Sequence, residues 1–515
     1  MKNIIFTGAS LLALAIASPA LAQNQSDIDQ TGNTNGATVT QTGSNVSDID
    51  QNGNTNAATV DQDGTGGDSG ILQTGNNNRA NTTQDTIGGL ADVIQNGNSN
   101  ESDIEQTDGN SGGTLGVAGK DPEAFVNQQG NFNNSTVGQT NSAVSFDLIA
   151  SVSQNNAGGD ATANNSTVTQ SATGVGSGNL NANVTQADGA TSFVTQTTIN
   201  GAGSVNQDAI VLQTGANTST IDQTFGLNNS NTFLATVTQS GSGNESFVTQ
   251  EDIGSLSNTA PDEELTATIN QSGNGNLSEL TQLNKNATAT ITQSGNENNV
   301  DAFQNGASLT LTVLQTGNDN TSNSNQVGLE NVADVFQQGN NTTSDVIQSG
   351  RKNSAFIDQL AGSDGSTSIV TQSGVGNTRT HNVANVTQSA ADNESDINQG
   401  GLAGLATVNQ TGARNTSEID QIGTVALATN TATVNQSGAD NGSKVFQEGS
   451  LNTALLTQSG SDNTSDVSQD GNSNSSDILQ SGSNNDALVT QASNSNVSNI
   501  IQSGTGGSVT VSQGM

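Results

Sequence analysis

The sequence predicts an all-β protein, a β-solenoid whose coils hold about 22 residues in two strand-turn units of about 11 residues each. Three observations favour this fold. Glutamine returns at constant spacing, as at Gln447, Gln458 and Gln469. The residues before each glutamine alternate in character along the chain, and a glycine-containing segment follows it. We therefore expect two facing sheets of parallel, in-register strands, a cross-β arrangement of the amyloid type.

The strand of each unit precedes its glutamine. In one example Asn35, Ala37, Val39 and Gln41 occupy alternate positions, and the same order of Asn, Ala or Ser, an aliphatic residue and Gln recurs along the chain. Alternate residues of a strand point to the same side of the sheet, so these four side chains share the inward face. The intervening Thr, Asp, Glu and Asn residues face water.

The turn of each unit follows its glutamine and reads x-Gly-x-x-Asn. Glycine and asparagine both tolerate positive φ, so this segment is predicted to be a tight turn that leads into the next strand. The turn glycines named on this basis are Gly43, Gly53, Gly295, Gly460 and Gly482.

The small residue of the unit alternates between Ala and Ser from Gln337 to Gln469. Two unlike units therefore form one coil, and we expect Ala-type strands to stack in one sheet and Ser-type strands in the facing sheet. The alternating residues are Ala333, Ser344, Ala355, Ser368, Ala384, Ser395, Ala406, Ser417, Ala432, Ser443, Ala454 and Ser465.

Amide side chains inside so thin a coil are predicted to form ladders, each amide bonding to its copies in the coils above and below. A shift in register would leave buried amide groups unpaired, at a cost of roughly 1–3 kcal/mol each. The predicted ladder residues are Gln41, Gln51, Gln62, Gln282, Gln293, Gln337, Gln348, Gln447, Gln458, Gln469, Gln480, Gln491, Gln502, Asn35, Asn45, Asn56, Asn452, Asn463, Asn474 and Asn485.

The chain divides into four segments by the regularity of the repeat. Residues 1–22 have the pattern of a signal peptide, with Lys2 before an apolar stretch and small residues before the expected cleavage between Ala22 and Gln23. Regular repeats occupy 23–106 and 271–515. The repeats of 107–270 are degenerate, with longer loops around Pro122 and Pro261, read as surface loops or as linkers between separate solenoids.

The composition limits the classes of function. Of 515 residues, 30% are hydrophobic and 2% aromatic, and there is no Cys. Nine Lys and Arg stand against 47 Asp and Glu, for a formal net charge of -38, which argues against a nucleic-acid partner. No apolar run after residue 22 is long enough to span a membrane. A single histidine and scattered arginines predict no enzyme, and we expect no catalytic residue, metal or cofactor.

The repeat resembles the curlin repeat of bacterial curli fibres, most clearly over 24–106 and 271–513. The segment from Ser47 to Gln62 carries the pattern Ser/Ala-x-Val/Ile-x-Gln-x-Gly-x-x-Asn-x-Ala/Ser. The resemblance implies an exported subunit that polymerises with itself, end to end, into extracellular functional amyloid of a biofilm matrix. It also implies a nucleator subunit and curli-type secretion machinery as partners. This chain is longer than a typical curlin and lacks the tyrosines usual there.

Outward residues leave further readings open. Asp recurs three positions before Gln, where it either binds divalent cations or acts as a charge that slows premature assembly. Outward Thr pairs resemble ice-binding faces, with ordinary strand propensity as the alternative. Outward Phe residues, such as Phe193 and Phe356, either mediate contacts with fibres or surfaces or are covered by loops. The leading prediction is a secreted fibre subunit; the alternatives are a secreted solenoid adhesin, a minor or nucleating fibre component, and, remotely, an ice-binding solenoid.

Overall fold

The computed structural model describes residues 23–108, 121–142, 145–156, 163–173, 177–199, 204–226, 231–252, 263–374, 381–424 and 428–514. Within these ranges every regular element is a β-strand, and none contains a helix able to cross a membrane. The expected signal peptide, including Ala22, lies outside the described residues, as does Pro261.

The chain forms two compact units. The first comprises Met1–Thr232 with Leu256–Thr259, and the second comprises Phe233–Ser255 with Ala260–Met515. The division falls within the segment predicted to carry degenerate repeats. The predicted boundaries near residues 106 and 270 stay predictions.

The first unit contains fourteen strands in its described residues. They are β1 Gln25–Asn33, β2 Gly36–Asn54, β3 Ala57–Asn76, β4 Arg79–Ile87, β5 Leu90–Asn98, β6 Glu101–Asp108, β7 Glu123–Asn131, β8 Asn134–Asn141, β9 Ser145–Asn156, β10 Asn165–Thr173, β11 Ser177–Ala187, β12 Thr191–Ile199, β13 Ser204–Thr214 and β14 Thr218–Phe225.

The strands of the second unit are shorter towards the C-terminus. They are β15 Asn231–Ser242, β16 Glu245–Asp252, β17 Glu263–Asn274, β18 Leu277–Asn296, β19 Asn299–Gln315, β20 Thr321–Leu329, β21 Val332–Gln337, β22 Thr343–Arg351, β23 Ser354–Gln359, β24 Thr367–Gln372, β25 Val383–Gln388, β26 Glu394–Gln399, β27 Gly404–Gln410, β28 Thr416–Gly423, β29 Asn430–Gln436, β30 Gly442–Ser450, β31 Thr453–Gln458, β32 Thr464–Asn472, β33 Ser475–Gln480, β34 Asp486–Gln491, β35 Val497–Gln502 and β36 Ser508–Gln513.

Strand pairing within each unit is that of a β-solenoid. Strands pair in parallel with the next strand but one, so β30 lies beside β28 and β32 while β31 lies beside β29 and β33. Four long strands, β2, β3, β18 and β19, continue through a turn and contribute to both sheets of their coil. Glutamine faces glutamine in each pair, as for Gln447 and Gln469. The predicted fold class is confirmed.

Burial follows the alternation seen in the sequence. In β3, Ala58, Val60 and Gln62 are buried, while Thr59 and Asp61 between them are exposed. Each strand therefore contributes a small residue, an aliphatic residue and an amide to an interior shared with the facing sheet.

The Ala and Ser rows stack as predicted between residues 333 and 465, but they exchange sheets elsewhere. Each exchange occurs in both sheets of the same coil, so the affected coils still contribute one Ala and one Ser to the interior, and the small-residue layer keeps its volume. The exchanging pairs are Ala80 with Ser102 and Ser69 with Ala91 in the first unit, and Ala454 with Ser476 and Ser465 with Ala487 in the second.

The turns differ in detail from the prediction. Gly43, Gly53 and Gly295 have positive φ, at 110°, 137° and 125°, whereas Gly460 and Gly482 do not. The second positive φ belongs to the residue before the asparagine rather than to the asparagine itself. Residues in that position include Thr34, Thr55, Glu297, Leu451, Asp462 and Ser473, with φ from 55° to 61°.

The turn glycines are required by the stacking of one turn on the next. A Cβ on Gly460 would overlap the carbonyl oxygen of Gly482, and a Cβ on Gly53 would overlap that of Gly75. At Gly460 the constraint is therefore contact between coils, without the positive φ that applies at Gly53.

We expect Gly460→Ala to lower the free energy of unfolding by about 1–3 kcal/mol, because the added methyl group forces two stacked turns apart. Gly504→Ala is the matched control, since no atom lies within 4 Å of a Cβ at Gly504. Chemical denaturation followed by circular dichroism measures both. Equal effects of the two substitutions would contradict the packing argument.

Candidate functional site

Glutamine side chains form the interior ladders of the solenoid. Each Gln donates from Nε2 to Oε1 of the Gln one coil later, over 2.7 Å from Gln41 to Gln62 and 2.8 Å from Gln51 to Gln73. Each unit holds two such ladders, one per sheet. In the second unit the predicted residues lie in these series: Gln282 to Gln304, Gln293 to Gln315, Gln337 to Gln359, Gln348 to Gln372, Gln447 to Gln469, Gln458 to Gln480, Gln469 to Gln491, Gln480 to Gln502 and Gln491 to Gln513.

The same amide also joins the two sheets. Nε2 of Gln62 donates to the carbonyl oxygen of Val46 over 3.0 Å, and Nε2 of Gln469 donates to that of Thr453 over 2.9 Å. Each acceptor lies in the facing sheet, sixteen residues before the glutamine. One buried amide thus satisfies both of its N–H donors, and it links neighbouring coils as well as the two facing sheets.

Asparagine forms a second interior ladder that runs in the opposite direction. The backbone N–H of Asn56 donates to Oδ1 of Asn35 over 3.1 Å, so the later coil is the donor. Oδ1 of Asn45 accepts in the same way from Gly67 N–H over 3.0 Å. The remaining predicted pairs have the same sense: Asn474 to Asn452 and Asn485 to Asn463, at 3.0 and 3.1 Å.

The asparagine amides also cap the turns. Nδ2 of Asn463 donates to the carbonyl oxygen of Gly482, the turn glycine of the next coil, over 2.9 Å. Nδ2 of Asn452 donates to Glu448 O, in its own turn, over 2.9 Å. The asparagine therefore fixes both the shape of one turn and its position on the next.

Two features of this site escaped the sequence analysis. The first is an exposed asparagine ladder at the turn tips, where Nδ2 of Asn33 donates to Oδ1 of Asn54 over 3.0 Å and Asn76 donates to Asn98 over 3.0 Å. Its signal was available, because Asn recurs three residues after many glutamines. Because these asparagines lie on the exposed side of the turn, the sequence analysis did not assign them to a ladder.

The second feature is the replacement of the interior asparagine where the preceding turn is expanded. Leu148 and Leu180 occupy that position in the first unit, in register and fully buried, and Leu265 does so in the second. At these positions an apolar side chain fills the corner in place of the amide. Phe225 and Phe233 are also buried, unlike the outward Phe193, Phe247 and Phe356.

Stacked carboxylates form the outward row three positions before glutamine. Asp27 lies in register with Asp48, and Asp396 lies in register with Glu418. Partial burial, followed by the neighbouring charges of Glu418, Glu394 and Asp420, raises the pKa of Asp396. Burial likewise raises the pKa of Asp345. Among the residues that the structure describes, no group of three or more His, Cys, Asp or Glu is placed to hold a metal ion.

Basic side chains pair with acids of neighbouring coils. Lys444 Nζ lies 2.7 Å from an oxygen of Glu418, and Arg414 makes two bonds of 2.7 Å to Asp440. Such exposed pairs contribute little to stability, because water and salt screen them. Their effect is local: they interrupt rows of like charge.

The described residues form a parallel β-solenoid held by interior amide ladders. Its repeat also matches a known family of repeats. The family model of the curlin associated repeat matches residues 328–360, 428–460, 438–471 and 460–492. The match confirms the curlin-repeat resemblance over these parts of the chain, all of which lie in the second unit. No curated protein matches the chain. Repeats of this family indicate a curli-like structural subunit, and both family and fold are structural rather than enzymatic.

We expect Gln469→Leu to destabilise the second unit, because Nε2 of Gln447 and Oε1 of Gln491 each lose a buried partner at about 1–3 kcal/mol. Ser468→Leu, one residue earlier and outward, is the control and should leave the denaturation midpoint nearly unchanged. Equal midpoints for the two variants would show that the ladder bonds contribute no net stability.

Stability should rise on mild acidification. The raised pKa values of Asp396, Asp420 and Asp466 mean that the folded chain holds these protons more tightly than the unfolded chain. The free energy of unfolding contributed by them therefore increases as the pH falls through the interval above the ordinary value of 3.8. Denaturation at pH 7 and pH 4 measures this, and Asp396→Asn should stabilise the chain at pH 7 but much less at pH 4.

Proposed function

We propose that this protein is a secreted structural subunit that assembles head to tail into curli-like amyloid fibres of an extracellular matrix. The observation that carries the proposal is the directional pair of amide ladders in a coil with curlin associated repeats. Each coil presents on one side the partners that the next coil needs, so another copy of the chain can continue the series.

The polar groups of the two outermost described coils are complementary. Gln502 and Gln513 accept at Oε1 from Gln480 and Gln491, and the direction of the ladder leaves their Nε2 groups to donate onward. At the other end the series begins with Gln30, which donates onward to Gln51 and offers Oε1 to a preceding donor. The ladder direction supports head-to-tail contact and disfavours head-to-head contact, which would oppose donor to donor.

One alignment of the two outermost coils pairs the glutamines of both ladders. If Gln502 of one copy faces Gln30 of the next, Gln513 faces Gln41, because both pairs of glutamines are eleven residues apart. The same register places Ile500 against Ile28 and Val511 against Val39. Asn496 then offers Oδ1 to the backbone of Asn24, as Asn474 does to Asn496.

Apolar groups at these coils gain burial from the same contact. Val509 and Val511 are only half-buried, and Ile28 is 38% exposed, whereas their counterparts Val489 and Ile49 within the stack are fully buried. Burying such side chains completely contributes on the order of 1 kcal/mol each. Backbone hydrogen bonds between the paired strands add to this stabilisation.

The remaining parts of the proposal concern where and with what the fibre forms. Export rests on the signal-peptide pattern of residues 1–22. A location outside the cell or on its surface, and a role in adhesion and biofilm structure, follow from the family resemblance. A nucleator subunit and curli-type secretion machinery are its proposed partners. The high negative charge would slow assembly until salt, acid or a template offsets the repulsion.

The proposal is tested with purified residues 23–515. We expect conversion, after a lag, to fibres with a cross-β reflection near 4.7–4.8 Å. Val511→Lys should leave the denaturation midpoint of the monomer nearly unchanged but prevent elongation, because a buried unpaired ammonium opposes stacking of the next copy. Thr510→Lys, outward on the same strand, is the control and should elongate. A chain that stays monomeric for days at neutral pH, with salt or calcium or with preformed fibre seeds, would disprove the proposal and favour the solenoid adhesin.

A further inference from the structure

One outward surface of the second unit carries no charge. It is formed by the outward residues of β25, β27, β29 and β31, and we term it the neutral face. These strands are adjacent in one sheet and in register, so their outward side chains form continuous rows. The residues of the neutral face are Val383, Asn385, Thr387, Leu405, Thr407, Asn409, Thr431, Thr433, Asn435, Thr453, Leu455 and Thr457.

The opposite surface of the same coils is strongly acidic. It is formed by the outward residues of β26, β28, β30, β32 and β34, and we term it the acidic face. Lys444 is its single basic residue and is already paired with Glu418. The acids of the acidic face are Glu394, Asp396, Glu418, Asp420, Glu448, Asp466, Asp470 and Asp486.

The neutral face is built of ridges that suit close contact. Thr407, Thr433 and Leu455 follow one another in a single row, and beside it Nδ2 of Asn409 donates to Oδ1 of Asn435 over 2.8 Å. The Thr and Asn side chains of this row pair are half-buried by their neighbours, while Leu455 is 37% exposed. β-Branched residues in register are the side chains that interdigitate between paired sheets in cross-β structures.

Charge decides which surfaces of two copies can meet. With a formal net charge of -38, most approaches bring carboxylates together, and the repulsion acts over about 8 Å at physiological salt. The acidic face finds no basic complement on the neutral face. Two neutral faces, in contrast, bring no charged groups of these strands into opposition, and their own acidic faces lie on the far side of the coil.

We propose that the neutral face is the lateral contact between fibres, pairing with the neutral face of a second copy. The inference rests on the proposed fibre function and adds to it the surface by which fibres bundle. Four strands of this length cover about 300 Å², well below the roughly 800 Å² per partner of a stable interface. Isolated chains therefore do not pair through it. In a fibre the face recurs in every subunit, and the weak contacts act together.

The test compares charge placed on the two faces. Thr407→Asp with Thr433→Asp and, separately, Thr407→Lys with Thr433→Lys add like charges to adjacent rows of the neutral face. Ser468→Asp with Thr490→Asp is the matched control, since these residues are also in register and half-buried but lie on the acidic face. Fibre yield by sedimentation reports stacking, and the width of bundles in electron micrographs reports lateral contact.

We expect wild-type and control chains to form bundles, and both neutral-face variants to form single fibrils in normal yield. Bundles of unchanged width in both variants would overturn the inference. Wider bundles with the Lys pair and narrower ones with the Asp pair would also overturn it, since the neutral face would then meet the acidic face. If the double variants fail to form fibres, Thr453→Lys at an exposed edge of the same face replaces them, with the same expectation. Absence of fibres from the wild-type chain would instead contradict the proposed function.

Discussion

The fold depends on buried primary amides that are satisfied only by identical amides one coil away. Gln469 illustrates the constraint, because it accepts from Gln447, donates to Gln491 and also bonds the facing sheet at Thr453. A chain with 30% hydrophobic residues has too little apolar surface for a thick core. Directional bonds in register therefore select one alignment of the strands, while the thin apolar layer supplies cohesion.

That constraint explains where the chain tolerates variation. Turns expand freely between a glutamine and the next strand, as before Leu180, because the ladder needs only the final register of the strand. Ala and Ser exchange sheets in pairs, as at Ala454 and Ser476, because the interior requires volume rather than a particular order. The outward residues are freer still, and their charges are segregated between the two sheets of the coils from β25 to β32.

The two ladders also give the stack a direction. Glutamine side chains donate towards higher residue numbers, and the backbone N–H groups of interior asparagines such as Asn485 donate to the asparagine Oδ1 of the preceding coil. A surface that ends such a series is complementary to the surface that begins it and not to itself. Directionality inside the molecule is thus the physical basis of the proposed head-to-tail growth, and the negative charge favours uncharged surfaces for the proposed lateral contact.

The sequence by itself determined the strand period, the inward set of residues and the parallel in-register stacking, because each follows from a spacing that repeats, as from Gln447 to Gln513. It did not determine the sense of the ladders, since an amide is both donor and acceptor and its direction depends on neighbouring carbonyls. The sequence pattern assigned the positive φ of the turn partly to the asparagine. In the structure the preceding residue, such as Leu451, has the positive φ, because the asparagine side chain lies in the interior and is hydrogen-bonded there. The reason for Gly460 and the charge difference between the two faces emerged only from the tertiary structure, because both depend on which residues of distant coils and facing sheets come together.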